Sequence, residues 1–192
     1  MTTTALMNTA LVSPRLRDGT TAAWGRHRVS SMSEDELAGL VRMAQARRAA
    51  MVAVGTGRDP ASVDAGRRFA AAWRQTGGQV VAMVDWPEQA ASWLRQAHRL
   101  TRSEPDLWVF AGTPVGLAQM TRRLVWSTPW TPRRTLAARA GIDQTARLAG
   151  LGLLDGLAGA GEDGTFWGIR DGLATTITWA EAAAPRGGRR HA

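Results

Sequence analysis

Met51-Val52-Ala53-Val54, Gln79-Val80-Val81-Ala82-Met83-Val84 and Leu107-Trp108-Val109-Phe110-Ala111 are three short apolar runs, each followed by a segment with helical periodicity. From Met51 to Met120 they read as a βαβαβα unit with a turn signal at almost every joint. Continuous apolar strands alternating with helices imply a mainly parallel sheet covered on both faces, a three-layer α/β/α fold. Right-handed crossovers then place every strand-to-helix loop on one edge, where ligands of such sheets gather. Three loops follow as candidates: Gly55-Thr56-Gly57-Arg58-Asp59, Asp85-Trp86-Pro87 and Gly112-Thr113-Pro114.

The helical segments carry their own signals. Ser33 and Glu36 have capping-box spacing, and Leu37, Leu40, Val41 and Ala44 share a face of a helix that ends near Arg47. Asp59 caps and Pro60 opens a helix bearing Val63, Phe69, Ala72 and Trp73, which Gly77-Gly78 stops. Pro87 opens the next helix, which reaches about Arg102, and Pro114 opens one that ends near Leu124. Beyond an irregular Ser127–Pro132 connection, helices are expected over Pro132–Ala140 and Ile142–Leu157, then a glycine-rich loop over Gly159–Gly172 and a strand over Leu173–Trp179. Upstream, Ala5–Val12 reads as a short strand. The predicted organisation is a segment at 1–24, an α/β domain at 25–180 and a disordered basic tail at 181–192.

A chain of 192 residues can bury one good core. Its net charge of +8 comes from 24 arginines with no lysine against 16 carboxylates, a skew that fits GC-rich coding as well as selection for arginine chemistry. The basic pairs are spread rather than clustered, which argues against nucleic acid as the partner. With no cysteine there is no disulfide, thiolate nucleophile or cysteine-based zinc site. The histidines His27, His98 and His191 lack metal-ligand spacing, and neither a P-loop nor a G-x-S-x-G elbow occurs. Gly55-x-Gly57 begins a dinucleotide fingerprint that fails at Pro60, so no cofactor is expected. No window approaches the roughly 18 apolar residues of a membrane span. The first arginine, Arg15, follows the apolar run of the N-terminus, an order wrong for a secretory signal. These features predict a cytoplasmic protein, or an extracytoplasmic one if the sequence is part of a longer protein.

Order and spacing over residues 25 to 125 resemble the type I periplasmic-binding-protein superfamily, in particular the branched-chain amino-acid ABC-transporter receptors. The resemblance rests on Arg28-Val29-Ser30 with Ser33-Glu34-Asp35-Glu36, on Met51–Val54 with Asp59 and Gly66-Arg67-Arg68-Phe69, on Gly77-Gly78-Gln79-Val80-Val81, and on Pro105-Asp106 leading into Leu107–Gly112. Leu11-Val12-Ser13-Pro14 is similar to the segment that crosses the hinge between lobes in that family. The resemblance implies the second lobe only, a non-enzymatic binding protein that takes a small polar ligand such as an amino acid at the carboxyl edge of its sheet. A facing wall must then come from a second lobe, a homodimer or a partner protein.

The site candidates each have a structural alternative. Asp59 holds a ligand ammonium or caps its helix, with Ser62 as a hydroxyl contact in the same loop. Asp85 and Trp86 form a carboxylate and an aromatic wall, or a helix cap beside a packed indole. Gly112-Thr113 present free backbone amides to an anion, or a satisfied cap. Trp126 and Trp130 flank the proline segment as candidates for an exposed apolar patch that binds a partner, or else they cover the sheet edge. The competing functional reading is a cytoplasmic protein-interaction or regulatory module that kept the fold and lost ligand binding.

Overall fold

A computed structural model of the protein describes residues 31–150 and 152–184. Its strands are β1 (Met51–Gly57), β2 (Gln79–Trp86), β3 (Leu107–Ala111), β4 (Thr135–Ala138), β5 (Ala158–Ala160), β6 (Phe166–Arg170) and β7 (Leu173–Ile177). The helices are α1 (Glu34–Ala46), α2 (Pro60–Gln75), α3 (Leu94–Thr101), α4 (Pro114–Ser127), α5 (Ile142–Ala149) and α6 (Trp179–Ala183). All seven strands form one sheet in the order β2-β1-β3-β4-β5-β6-β7. β1 to β5 run parallel, while β6 and β7 add antiparallel at the far edge.

Two apolar layers sandwich the sheet, as the strand pattern predicts. On one face Trp93, Ala97 and Leu100 of the α3 region, Leu117, Met120 and Leu124 of α4, and Ile142 and Ala146 of α5 pack on Val84, Trp86, Trp108 and Phe110. On the other, Leu40 and Met43 of α1, Phe69 and Trp73 of α2, and Ala182 of α6 pack on Val52, Val54, Val109 and Leu136. Asp106 ties the amino edge together, its Oδ2 accepting from the amides of Ala50 (2.9 Å) and Met51 (2.8 Å).

Several expectations are corrected. β1 and β2 extend through Gly57 and Trp86, so Gly55, Thr56, Asp85 and Trp86 are strand residues rather than loop. The helix expected from Pro87 starts only at Leu94, because Pro87 and Trp93 close an irregular turn in which the Trp93 indole donates to the Pro87 carbonyl at 2.9 Å. Pro132–Arg134 is a single 3₁₀ turn and Thr135–Ala138 is strand, not helix. Alanine favours helix locally. Here Leu136 and Ala137 lie buried between β3 and β5, and ladder pairing plus burial on both faces overrides that preference. α4 runs three residues past Leu124 to Ser127, and α5 stops at Ala149, where Gly150 takes a φ of 117° closed to other residues. The expected Gly159–Gly172 loop contains β5 and β6 instead. α6 carries regular structure through Ala183. The remainder of the proposed tail from 185 lies outside the described residues, as do the segment at 1–24, the Ala5–Val12 strand and Arg28-Val29-Ser30.

The Ser33 box forms only by half. Ser33 Oγ accepts from the Glu36 amide at 3.0 Å, but the Glu36 carboxylate is buried and accepts from the Arg139 amide at 2.6 Å. Arg139 follows the last residue of β4, where its amide has left the ladder and needs an acceptor. Burial pushes the Glu36 carboxyl up and the Arg139 amide pulls it back down.

Candidate functional site at the carboxyl edge

The chain leaves β1 for β2 on one side and later places β3 on the other, so the topological switch point lies between the carboxyl ends of β1 and β3. Residues following those ends converge there. Asp59 caps α2, its Oδ1 accepting from the Ser62 amide at 2.9 Å. Thr113 caps α4 and accepts from the Gly116 amide at 3.4 Å. Both prolines that open these helices occupy first-turn positions where a missing N–H costs nothing.

Glu88 completes the cluster and was not among the sequence candidates. It comes from the irregular turn after β2, and its Oε2 accepts from Gly116 N at 3.1 Å, at the positive end of the α4 dipole. Gly116 makes room for it: a Cβ there would meet Glu88 Oε1 at 2.6 Å. Gly57 is the meeting point of the whole site. A Cβ on it would lie 2.9 Å from Asp59 Oδ2, 3.4 Å from Gly112 Cα and 3.5 Å from Glu88 Oε1. Asp59 Oδ2, Glu88 Oε1 and the hydroxyl of fully buried Ser62 are all shut from solvent with no hydrogen-bond partner among the described residues.

Glu88 is shifted here, chiefly by its burial. Burial pushes its carboxyl above the ordinary value of 4.5, and the charge of Asp59 adds to that, against hydrogen bonds from the Thr113 hydroxyl and the Gly116 amide. A carboxyl raised in the folded state stabilises the fold most below its unfolded value and loses that contribution as pH rises through the folded one. Glu88→Gln keeps an acceptor for Gly116 N and is neutral throughout. Its melting temperature should match wild type near pH 4 and exceed it increasingly as pH rises above 4.5, toward a plateau. A variant less stable than wild type at pH 7 in thermal melts would mean that the α4 amides outweigh burial.

The other sequence candidates fall elsewhere. Trp86 is 0% exposed and packs edge-on against Phe110, with centroids 5.7 Å apart, so it is core and offers a ligand no wall. Asp85 points away from the cluster and pairs with Arg58, Asp85 Oδ2 to Arg58 Nε at 2.5 Å, with both side chains half exposed. Trp126 and Trp130 do not form one patch. Trp130 is 5% exposed and stacks on Phe110 at 6.1 Å, whereas Trp126 is 78% exposed in the last turn of α4. Because α4 starts at the carboxyl edge and returns across the sheet, Trp126 sits toward the opposite edge from the switch point. The sequence does not single out Glu88, because Pro87 predicts a helix start and an acid in a first helical turn is ordinary. Its only sequence signal is its place just after a strand end.

A substrate-binding periplasmic protein from Ralstonia solanacearum superposes with a TM-score of 0.58 at 14% identity, over 67% of this chain and 36% of its own. A type 1 periplasmic binding protein from Bordetella pertussis gives 0.53 at 21% identity, over 66% and 33%. A leucine-binding protein from Thermotoga maritima gives 0.53 at 20% identity, over 65% and 36%. The fold is that of type I periplasmic binding proteins. This likeness establishes the fold, and the chain spans about a third of the length of the structures it matches. No family model matches the sequence, and no curated protein matches it either. Within this periplasmic-binding-protein fold the cluster around Gly57 lies at the carboxyl edge, as the sheet topology requires. None of the helices among the described residues is long and apolar enough to cross a membrane.

Proposed function

We propose that the chain is a non-enzymatic binding protein that takes a small polar ligand bearing an ammonium group, such as an amino acid, at the switch point. The observation that carries this reading is the pair of buried carboxylate oxygens, Asp59 Oδ2 and Glu88 Oε1, which approach Gly57 without a hydrogen-bond partner among the described residues. Two carboxylate oxygens shut from water and lacking donors favour a cation beside them. A ligand ammonium satisfies both, and the Ser62 and Thr113 hydroxyls stand on the two helix caps that flank it. A leucine-binding protein among the structural neighbours fits the same ligand class. The facing wall is supplied by a second lobe, a second copy of the chain or a partner protein.

Asp59→Asn tests this cleanly, because asparagine caps a helix as well as aspartate does and only the charge is lost. In thermal-shift titrations with the common amino acids and with leucinamide, which keeps the ammonium and lacks the carboxylate, wild type should gain stability with ligand concentration. The variant should not. A flat response from folded wild type would overturn the reading and favour the interaction module, for which the solvent-facing indole of Trp126 is the specific observation.

A further inference from the structure

Among the described residues β2 is the edge strand on its side of the sheet, and most of its residues are half-buried or exposed. The register against β1 slips between Val52 and Ala53. Before the slip Val80 packs with the α1 and α2 layer, and after it Ala82, Val84 and Trp86 pack with the opposite layer. The slip therefore turns Met83 and Asp85 toward α2, which leaves Met83 42% exposed. Between α2 and this flank lies an open cavity of about 480 Å³. That size falls within the range of small-molecule sites.

The lining has a clear polarity. Val54 of β1, Val63 of α2 and Met83 of β2 give it an apolar floor, while Arg58, Arg67 and Asp85 stand around it. Asp85 is taken up by Arg58 at 2.5 Å. Arg67 makes no ion pair with any described residue, so the cavity keeps an uncompensated cation beside an apolar surface. A guanidinium beside apolar side chains suits a carboxylate with a short hydrocarbon body: the fork binds the acid and the floor takes the chain.

We propose that the cavity between α2 and β2 is a binding site for short-chain monocarboxylates, with Arg67 holding the carboxylate, Arg58 beside it and the hydrocarbon chain against Val54, Val63 and Met83. The site is separate from the switch point and prefers the opposite charge, so it stands independently of the function proposed above.

Isothermal titration with hexanoate tests it, with hexylamine as a probe of the same body and opposite charge. Hexanoate should bind at millimolar concentration or below and hexylamine should not. Arg67→Met, which keeps the apolar stem of an exposed residue, should weaken hexanoate roughly tenfold, the loss expected for a charge-assisted hydrogen bond. Met83→Trp, which fills the cavity from an exposed position, should abolish binding, and Asp59→Asn should leave it unchanged. The proposal is overturned if hexanoate gives no heat, if hexylamine binds equally well, or if Arg67→Met has no effect. Loss of hexanoate binding in Asp59→Asn would overturn it too, by placing the acid at the switch point, whereas failure of the amino-acid titrations leaves this result untouched.

Discussion

Trp86→Ala should cost about 3–5 kcal/mol of stability, the range for deleting a large aromatic from a packed core. The indole is fully buried at the end of β2, paired in register with Gly57. Its benzo ring fills space that two backbone positions leave open: a Cβ at Gly55 would meet Trp86 Cζ3 at 2.6 Å, and one at Gly112 would meet Cζ2 at 3.1 Å. Phe110 closes the pocket edge-on. Removing the ring leaves a cavity lined by two glycines and a phenylalanine, which cannot collapse without moving three strands. Urea unfolding followed by circular dichroism measures the loss directly. Trp86→Phe should be far milder, since it keeps an aromatic and removes an indole N–H that has no partner among the described residues. A Trp86→Ala protein as stable as wild type would return this residue to the role of a ligand wall.

Gly159→Ala should destabilise by about 1–3 kcal/mol, the usual cost of overpacking, and its site allows little relief. Gly159 is the middle residue of β5, pressed between parallel β4 and antiparallel β6. A methyl there would overlap the Ala137 carbonyl oxygen and lie 2.5 Å from Trp167 Cζ2. Neither neighbour can yield: the carbonyl belongs to a central strand, and the Trp167 indole is tied by its donated hydrogen bond to the Ala160 carbonyl at 2.9 Å. Gly168→Ala is the matched control. It sits in β6 opposite Ala158, and its new methyl would meet Ile177 only at ordinary contact distance, 3.4 Å. Equal effects of the two substitutions on the urea midpoint would show that loss of backbone freedom, rather than close approach, governs both.

The first half of the chain was legible because each of its elements carries its own signal. β1 and β3 are apolar runs buried on both faces, β2 is an apolar run half-buried at the sheet edge, and Ser33, Asp59 and Thr113 each sit one residue before a helix and cap it with their own side chains. The second half was not. Thr135–Ala138 and Ala158–Ala160 hold alanine and glycine, residues that prefer helix or loop in isolation. They are strands because neighbours already in the sheet supply the ladder bonds and need small residues where Trp167 lies across the backbone.

The candidate site divides in the same way. Asp59 and Thr113 stand where the sequence expected, at the caps beside the switch point, because capping is decided within four residues of chain. Glu88 joins them through hydrogen bonds from the Thr113 hydroxyl and from the amide of Gly116, 28 residues away, after Pro87 and Trp93 have bent the chain away from helix. Trp86 and Trp130 enter the core by packing on Phe110 from β3, and Asp85 turns outward because the register of β2 slips by one residue. Periodicity and capping are local properties, so the sequence by itself determined the layered α/β fold, its parallel sheet and the edge that carries the candidate site. Which side chains face that edge depends on strand register and long-range packing, where a one-residue slip exchanges the two faces of a strand, and that only the tertiary structure decided.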